Sequence, residues 1–185
     1  MKKNVLALVA LVTLGTMLSC GSQKSMPSPE ELAALKQQID NKELDLRARW
    51  ANPLGTRSIN AIASAGLLPP GSSANRIEIT GTASFLRIQN DSVFAKLPYY
   101  GERQFASTYN PQDVGINFEG VPKDLSIDFN EKKQAYDFQF DIVNELGEGF
   151  NVNGTVYPNN AATFYVNSTQ RLTIGYSGFL NKVSE

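Results

Sequence analysis

With 185 residues, 17 basic and 18 acidic side chains and a formal net charge of −1, the chain has the length of one domain and carries no block of positive charge. Phosphate neutralisation supplies most nucleic-acid affinity, so nucleic acid is excluded as a partner. Histidine is absent and cysteine occurs once, which removes Ser-His-Asp and Cys-His catalysis, most zinc sites and any internal disulfide.

Lys2 and Lys3 precede an apolar run over residues 5–18 that is too short to span a bilayer comfortably, and small Ser19 stands before Cys20. This is the pattern of a cleaved export signal over residues 1–19. Thr16-Met17-Leu18-Ser19-Cys20 resembles the lipobox of bacterial lipoproteins, with Met17 where that pattern prefers Leu, Val or Ile. The resemblance implies cleavage before Cys20 and its acylation, and two or more acyl chains anchor a protein stably to a membrane. Removing Lys2 and Lys3 from the 17 basic side chains leaves 15 against 18 acidic ones, a net charge of about −3. Residues 20–27 are small and polar, as a flexible tether should be. Gly21 occupies the position where lipoproteins of the inner membrane often carry aspartate, which implies the outer membrane. The tether also lacks the acidic residues of surface-exported lipoproteins, which implies the periplasmic face.

The remaining residues, 28–185, read as a single β-rich domain. Ser28-Pro29-Glu30-Glu31 predicts a helix start, with Ser28 as cap and Glu31 completing a capping box, and Leu32, Leu35 and Ile39 share one face. At Leu44 the period becomes two: Leu44, Leu46, Ala48 and Trp50 alternate with charged residues, predicting a half-buried strand that places Trp50 inward and ends at Asn52-Pro53. A short second strand is expected over residues 58–62, and a loop over 67–73 whose two leucines need cover. Residues 76–89 read as one long strand whose apolar parity slips, with a bulge expected at Gly81 or Ala83-Ser84.

The clearest hairpin follows. Phe85-Leu86-Arg87-Ile88 and Val93-Phe94-Ala95-Lys96-Leu97 are rich in β-formers, and Asn90-Asp91 between them tolerates a left-handed backbone. Pro98 stops the second strand, Gly101 permits a bend, and Tyr99 and Tyr100 stand just outside the sheet. Beyond a polar stretch anchored by Phe105 and Tyr109, alternation resumes at Val114, Ile116 and Phe118, then at Leu125, Ile127 and Phe129. A tight turn leads to Tyr136, Phe138, Phe140 and Ile142, and three further runs centre on Phe150, Phe164 and Ile174. Many short strands without helical crossovers predict a mainly β fold: an N-terminal helix, then an antiparallel sheet of about eight to ten strands curled into a sandwich or barrel.

Leu97-Pro98-Tyr99-Tyr100-Gly101, Gly115-Ile116-Asn117-Phe118-Glu119-Gly120, Ile174-Gly175-Tyr176-Ser177-Gly178-Phe179 and the strand-ending Asn52-Pro53 resemble the DUF4251 family of Bacteroidetes lipoproteins, over most of residues 44–180. The family is of unknown function, so the resemblance implies a fold and an address without a mechanism.

No constellation in the sequence fixes a reaction. Asp128 and Asp137 share one face of a hairpin but alternate with Phe129, Tyr136 and Phe138, as solvent-facing residues of an amphipathic sheet do. Asp141, Asn144, Glu145 and Glu148 lack EF-hand spacing, and no metal or other cofactor is expected. Tyr99, Tyr100, Arg103 and Tyr109 form the candidate binding surface, since tyrosine and arginine are enriched at recognition hot spots. One of the two adjacent tyrosines is expected to pack inward and the other to meet solvent. Asp91-Ser92-Val93 resembles the sequon on which periplasmic Bacteroidetes proteins are O-glycosylated, making Ser92 a candidate, although a hairpin turn explains the same residues. The expected function is a non-enzymatic periplasmic binding or envelope-interaction module, its partners a membrane through the lipid anchor and an envelope protein or small ligand. The alternatives are a β-barrel carrier of a small apolar ligand and a carboxylate-based hydrolase.

Overall fold

A computed structural model describes residues 27–104 and 115–181. The leader, Cys20 and all of the tether but Pro27 lie outside the described residues, as do Phe105, Tyr109 and Val114.

Helix α1 (Pro29–Asp40) forms as its first residues dictate: Ser28 Oγ accepts from the Glu31 N–H at 3.1 Å and Glu31 Oε2 accepts from the Ser28 N–H at 3.0 Å. It packs on the sheet through Leu35. Strand β1 (Glu43–Pro53) follows, then α2 (Arg57–Ser64), capped by Thr56 and anchored by Ile59. The strand expected at residues 58–62 is therefore a helix. Local capping and burial of Ile59 outweigh the β-branched content of this segment.

The remaining elements are β2 (Ile77–Glu78), β3 (Phe85–Gln89), β4 (Ser92–Leu97), β5 (Ile116–Gly120), β6 (Lys123–Asn130), β7 (Ala135–Val143), β8 (Gly149–Val156), β9 (Ala161–Ser168) and β10 (Ile174–Leu180). All pair antiparallel in one sheet of order β5-β4-β3-β1-β10-β9-β8-β7-β6, with β2 beside β1. The sheet is continuous and curls into a half-barrel, so the architecture is an open barrel and not two facing sheets. Its curl brings Phe118 of β5 within 6.0 Å of Phe140 and 5.3 Å of Phe150, measured between ring centroids.

The inner face holds the core. Leu44, Leu46, Leu86, Ile88, Phe140, Phe164 and Tyr176 are essentially inaccessible to solvent, as alternation along each strand requires. Phe138 and Phe140 both point inward as expected. Gly154 sits between Phe138 and Phe164: a Cβ there would lie 2.6 Å from each side chain, so the missing side chain is what lets Phe138 lean across β8.

Three expectations along β1 to β3 are corrected. The register of β1 against β10 slips between Ala48 and Trp50, so inward residues change from even to odd numbers, and Trp50 turns to the outer face with Arg76 4.1 Å above its ring. The bulge lies in β1, where Arg49 is extra, and not near Gly81. Residues 76–89 are two strands and not one, divided by a loop in which Thr82 Oγ1 donates to the Ile79 carbonyl at 2.7 Å and the Ser84 carbonyl accepts from Ala48 N–H at 3.0 Å. Of the two leucines in the loop, Leu68 packs on the core while Leu67 is left 74% exposed.

Candidate functional site

The Tyr99-Tyr100 corner is built into the fold. Pro98 ends β4 and turns its carbonyl to the Tyr176 hydroxyl, which donates at 2.8 Å from a fully buried ring stacked on Phe164. Tyr99 does not point away. Its hydroxyl lies 3.0 Å from the Glu102 carbonyl and 3.1 Å from that of Leu172, and its ring covers the guanidinium of Arg171 at 5.2 Å. Arg171 is buried and held by Glu148: Nε donates to Oε1 at 2.8 Å and Nη2 to Oε2 at 2.9 Å, while Ser168 Oγ also donates to Glu148. Residues 102–104 then run beside 170–172, closed by Gln104 N–H on the Gln170 carbonyl at 2.8 Å and by antiparallel backbone pairing of Arg103 with Arg171.

Tyr99 and Tyr100 are both half-buried, so the expectation of one buried and one free ring is not met. Burial raises the hydroxyl pKa of each, and that of Tyr176 well above its ordinary value. Arg103 is half-buried in the same clasp. Gly101 has no positive φ; it is glycine because a Cβ would stand 2.5 Å from the Tyr99 hydroxyl. Asp141, Asn144, Glu145 and Glu148, which lack EF-hand spacing in the sequence, do not converge either. Glu148 points into the core toward Arg171, and Asn144 Oδ1 instead accepts from the N–H groups of Leu146 at 3.0 Å and Glu148 at 2.9 Å.

A different surface has the character of a site: the outer face of β6 to β9. Antiparallel register lines its residues up in rows that cross the strands. One row, Asp141, Asn151 and Asn167, satisfies itself, since Asn151 Nδ2 donates to Asp141 at 2.8 Å and Asn167 Nδ2 to Asn151 Oδ1 at 3.3 Å. Another contains Asp128 and Asp137, directly opposite one another, with Thr155 and Thr163 beyond. Here Asp137 accepts from Lys133 Nζ at 2.8 Å, Asn130 Nδ2 at 2.7 Å and Thr155 Oγ1 at 2.5 Å. Partial burial works to raise its pKa, but these donors and the Lys133 charge outweigh it and hold the carboxyl below its ordinary value.

Between these two lies the row Ser126, Gln139, Asn153 and Tyr165. Among the described residues none of these four side chains hydrogen-bonds to another protein group. Tyr165 is 53% exposed and leans over Gly175 of β10, where a Cβ would meet its ring at 3.0 Å. With Asp128, Lys133 and Thr163 the row lines a groove of about 400 Å³.

The family model for a domain of unknown function, DUF4251, matches residues 27–180. The chain belongs to the DUF4251 family. Its fold is similar to the crystal structure of a DUF4251 family protein from Bacteroides eggerthii, with a TM-score of 0.55 at 13% identity over 82% of this chain and 87% of that one. Among curated proteins none is similar.

Two of the segments that carry the resemblance to DUF4251, those at Gly115 and at Tyr176, reach the Leu97-Gly101 segment at the tyrosine corner. Pro98 accepts from Tyr176, Gly101 backs Tyr99, a Cβ at Gly115 would lie 2.7 Å from the Leu97 carbonyl, and one at Gly178 would lie 1.9 Å from that of Arg47 beside the β1 bulge. Their roles here are packing and closure. Ser92, the candidate modification site, is half-buried at the first position of β4, and its turn is tied by Lys42 Nζ to Asp91 at 2.7 Å. Gln139, Asn153 and Tyr165 escaped sequence reasoning because each stands alone in its own strand. Only a repeated outward amide or aromatic at matching depth in β7 to β9 could have signalled them.

Proposed function

We propose that this DUF4251 chain is a non-enzymatic binding module of the cell envelope, held through acylated Cys20 at the periplasmic face of the outer membrane, and that it recognises its partner with the outer face of β6 to β9. The observation that carries this reading is the row of unpartnered polar side chains around Tyr165, flanked on one side by the self-bonded row Asp141, Asn151 and Asn167 and on the other by the hydrogen-bonded cluster around Asp137. The arrangement of Asp137 supports binding over hydrolysis. Both oxygens of Asp137 are already taken up by Lys133, Asn130 and Thr155, which leaves no free carboxylate beside Asp128 for a paired-acid mechanism. The test is capture from solubilised envelopes with the intact protein and with a Tyr165→Ala/Asn153→Ala variant. Capture should fall for the variant while its thermal midpoint stays put; equal capture by both overturns the choice of face. For the anchor, Cys20→Ala should leave the protein unprocessed or released from the outer-membrane fraction, and normal processing and fractionation would refute it. Ser92 stays a candidate for O-glycosylation, checked by the intact mass of native protein against Ser92→Ala.

A cleft at the open seam of the half-barrel favours a second reading, the carrier of a small apolar ligand. It has a volume of about 380 Å³ and is lined by Ile39, Ile88, Val121, Leu125 and Ile127, with Lys42 and Asp91 at its rim. That is within the size range of small-ligand sites. A fluorescent fatty acid should bind and be lost on Ile127→Asp if this reading holds, and absence of binding to the intact protein refutes it.

A further inference from the structure

Resting on the reading of the outer face as a recognition surface, we infer that its ligand is an uncharged saccharide, with a hexopyranose ring stacked on Tyr165 and its hydroxyls bonded to Asn153, Gln139 and Asp128. Four features of the groove point to this chemistry. First, the Tyr165 ring lies against Gly175 and is 53% exposed, so much of its apolar surface meets solvent. The axial C–H groups of a pyranose form a flat apolar patch that fits such a ring, and a tyrosine supplies this contact area at small entropic cost. Second, the adjacent groups along the row are amides, each offering donors and an acceptor in one plane, as vicinal hydroxyls require. They stand on neighbouring strands, roughly 4.8 Å apart, close to the width of one sugar ring.

Third, the charge balance disfavours anions. Lys133 is already paired with Asp137, which leaves Asp128, exposed and in no ion pair, as a net negative charge that accepts from hydroxyls and repels carboxylates or phosphates. Fourth, β7, β8 and β9 are interior strands whose backbone groups are consumed by their neighbours, so an extended peptide cannot add here through main-chain bonds. Recognition must run through side chains, and the groove is of small-ligand size.

Two sources share this chemistry, neutral hexose chains and chains of N-acetylated hexosamines, and the test separates them. The intact protein is titrated calorimetrically with cellotetraose, maltotetraose, chitotetraose and, as the anionic comparison, oligogalacturonate. At least one neutral tetrasaccharide should bind with Kd below about 1 mM. Amide shifts should cluster at Gln139, Asn153, Tyr165 and Gly175. Tyr165→Ala and, separately, Gln139→Ala should weaken binding, the first by roughly tenfold or more, with unchanged melting; Lys36→Ala on α1 should do nothing. Cellotetraose or maltotetraose alone assigns hexose chains, and chitotetraose alone assigns N-acetylhexosamine chains. Preference for oligogalacturonate, or neutral binding indifferent to Tyr165→Ala, overturns the inference. If no saccharide binds while Tyr165→Ala/Asn153→Ala still abolishes envelope capture, the saccharide class is wrong and the binding face stands. If that variant also captures normally, both fall.

Discussion

Tyr99 and Gly101 occupy one another's space: the ring lies where a side chain at 101 would be, and its hydroxyl reaches the carbonyls of Glu102 and Leu172. Each residue therefore has a cost that depends on the other. Gly101→Ala should destabilise by about 1–3 kcal/mol because overfilling a packed site forces off-rotamer side chains. In a Tyr99→Ala background most of that penalty should vanish, so a double-mutant cycle in urea would show strong coupling. Additive effects would mean that Gly101 serves backbone freedom instead. Gly154 follows the same logic deeper in the core, where Phe138 and Phe164 fill its missing side chain from both sides.

At the scale of elements, the buried Glu148–Arg171 pair joins the β7–β8 turn to the segment between β9 and β10 and supports the Tyr99 ring. Removing one partner strands a buried charge, so Arg171→Met should cost about 3–5 kcal/mol, whereas Glu148→Leu/Arg171→Met should recover much of it. A double variant as unstable as the single one would assign the pair's value to geometry instead of charge. This pair shows where sequence reading stops. Alternation in β6 to β10, the capping box at Ser28 and the Asn90-Asp91 hairpin are local signals, and all three were legible. Glu148 and Arg171 lie 23 positions apart in loops, with nothing local to mark them as buried. Trp50 was misplaced because one extra residue, Arg49, inverts every later side chain of β1, and such a bulge is set by pairing with β10. Residues 58–62 form a helix because Thr56 caps them and Ile59 finds cover, and the cover is tertiary. The candidate face was illegible for the same reason: its row exists only once four strands are in register.

For the whole molecule, the absence of histidine removes the side chain whose ordinary pKa falls between pH 5 and 8. The urea midpoint should therefore be nearly constant across that range and change at two edges set by shifted groups. On the acid side, Asp137 is held below its ordinary 3.8, so its contribution is present above that value and is lost as pH falls through the lower native pKa. Because this carboxylate is partly exposed, the loss should be modest, and Asp137→Asn should flatten it. On the alkaline side, burial raises Tyr176, Tyr99 and Tyr100 above their ordinary 10.0. Above that pH the unfolded chain gives up tyrosine protons that the native state keeps, so stability is full below about pH 10 and falls as pH rises beyond it. Tyr176 is the most buried of the three and should dominate. Tyr176→Phe removes a hydroxyl that donates to the Pro98 carbonyl, so it should lower stability at pH 7 by about 1 kcal/mol while making the alkaline limb shallower. The two effects have opposite signs above pH 10, and the wild-type and variant curves should converge there. Parallel curves from pH 7 to 11 would show that the Tyr176 proton does not report on folding, and with it that the corner is open to solvent.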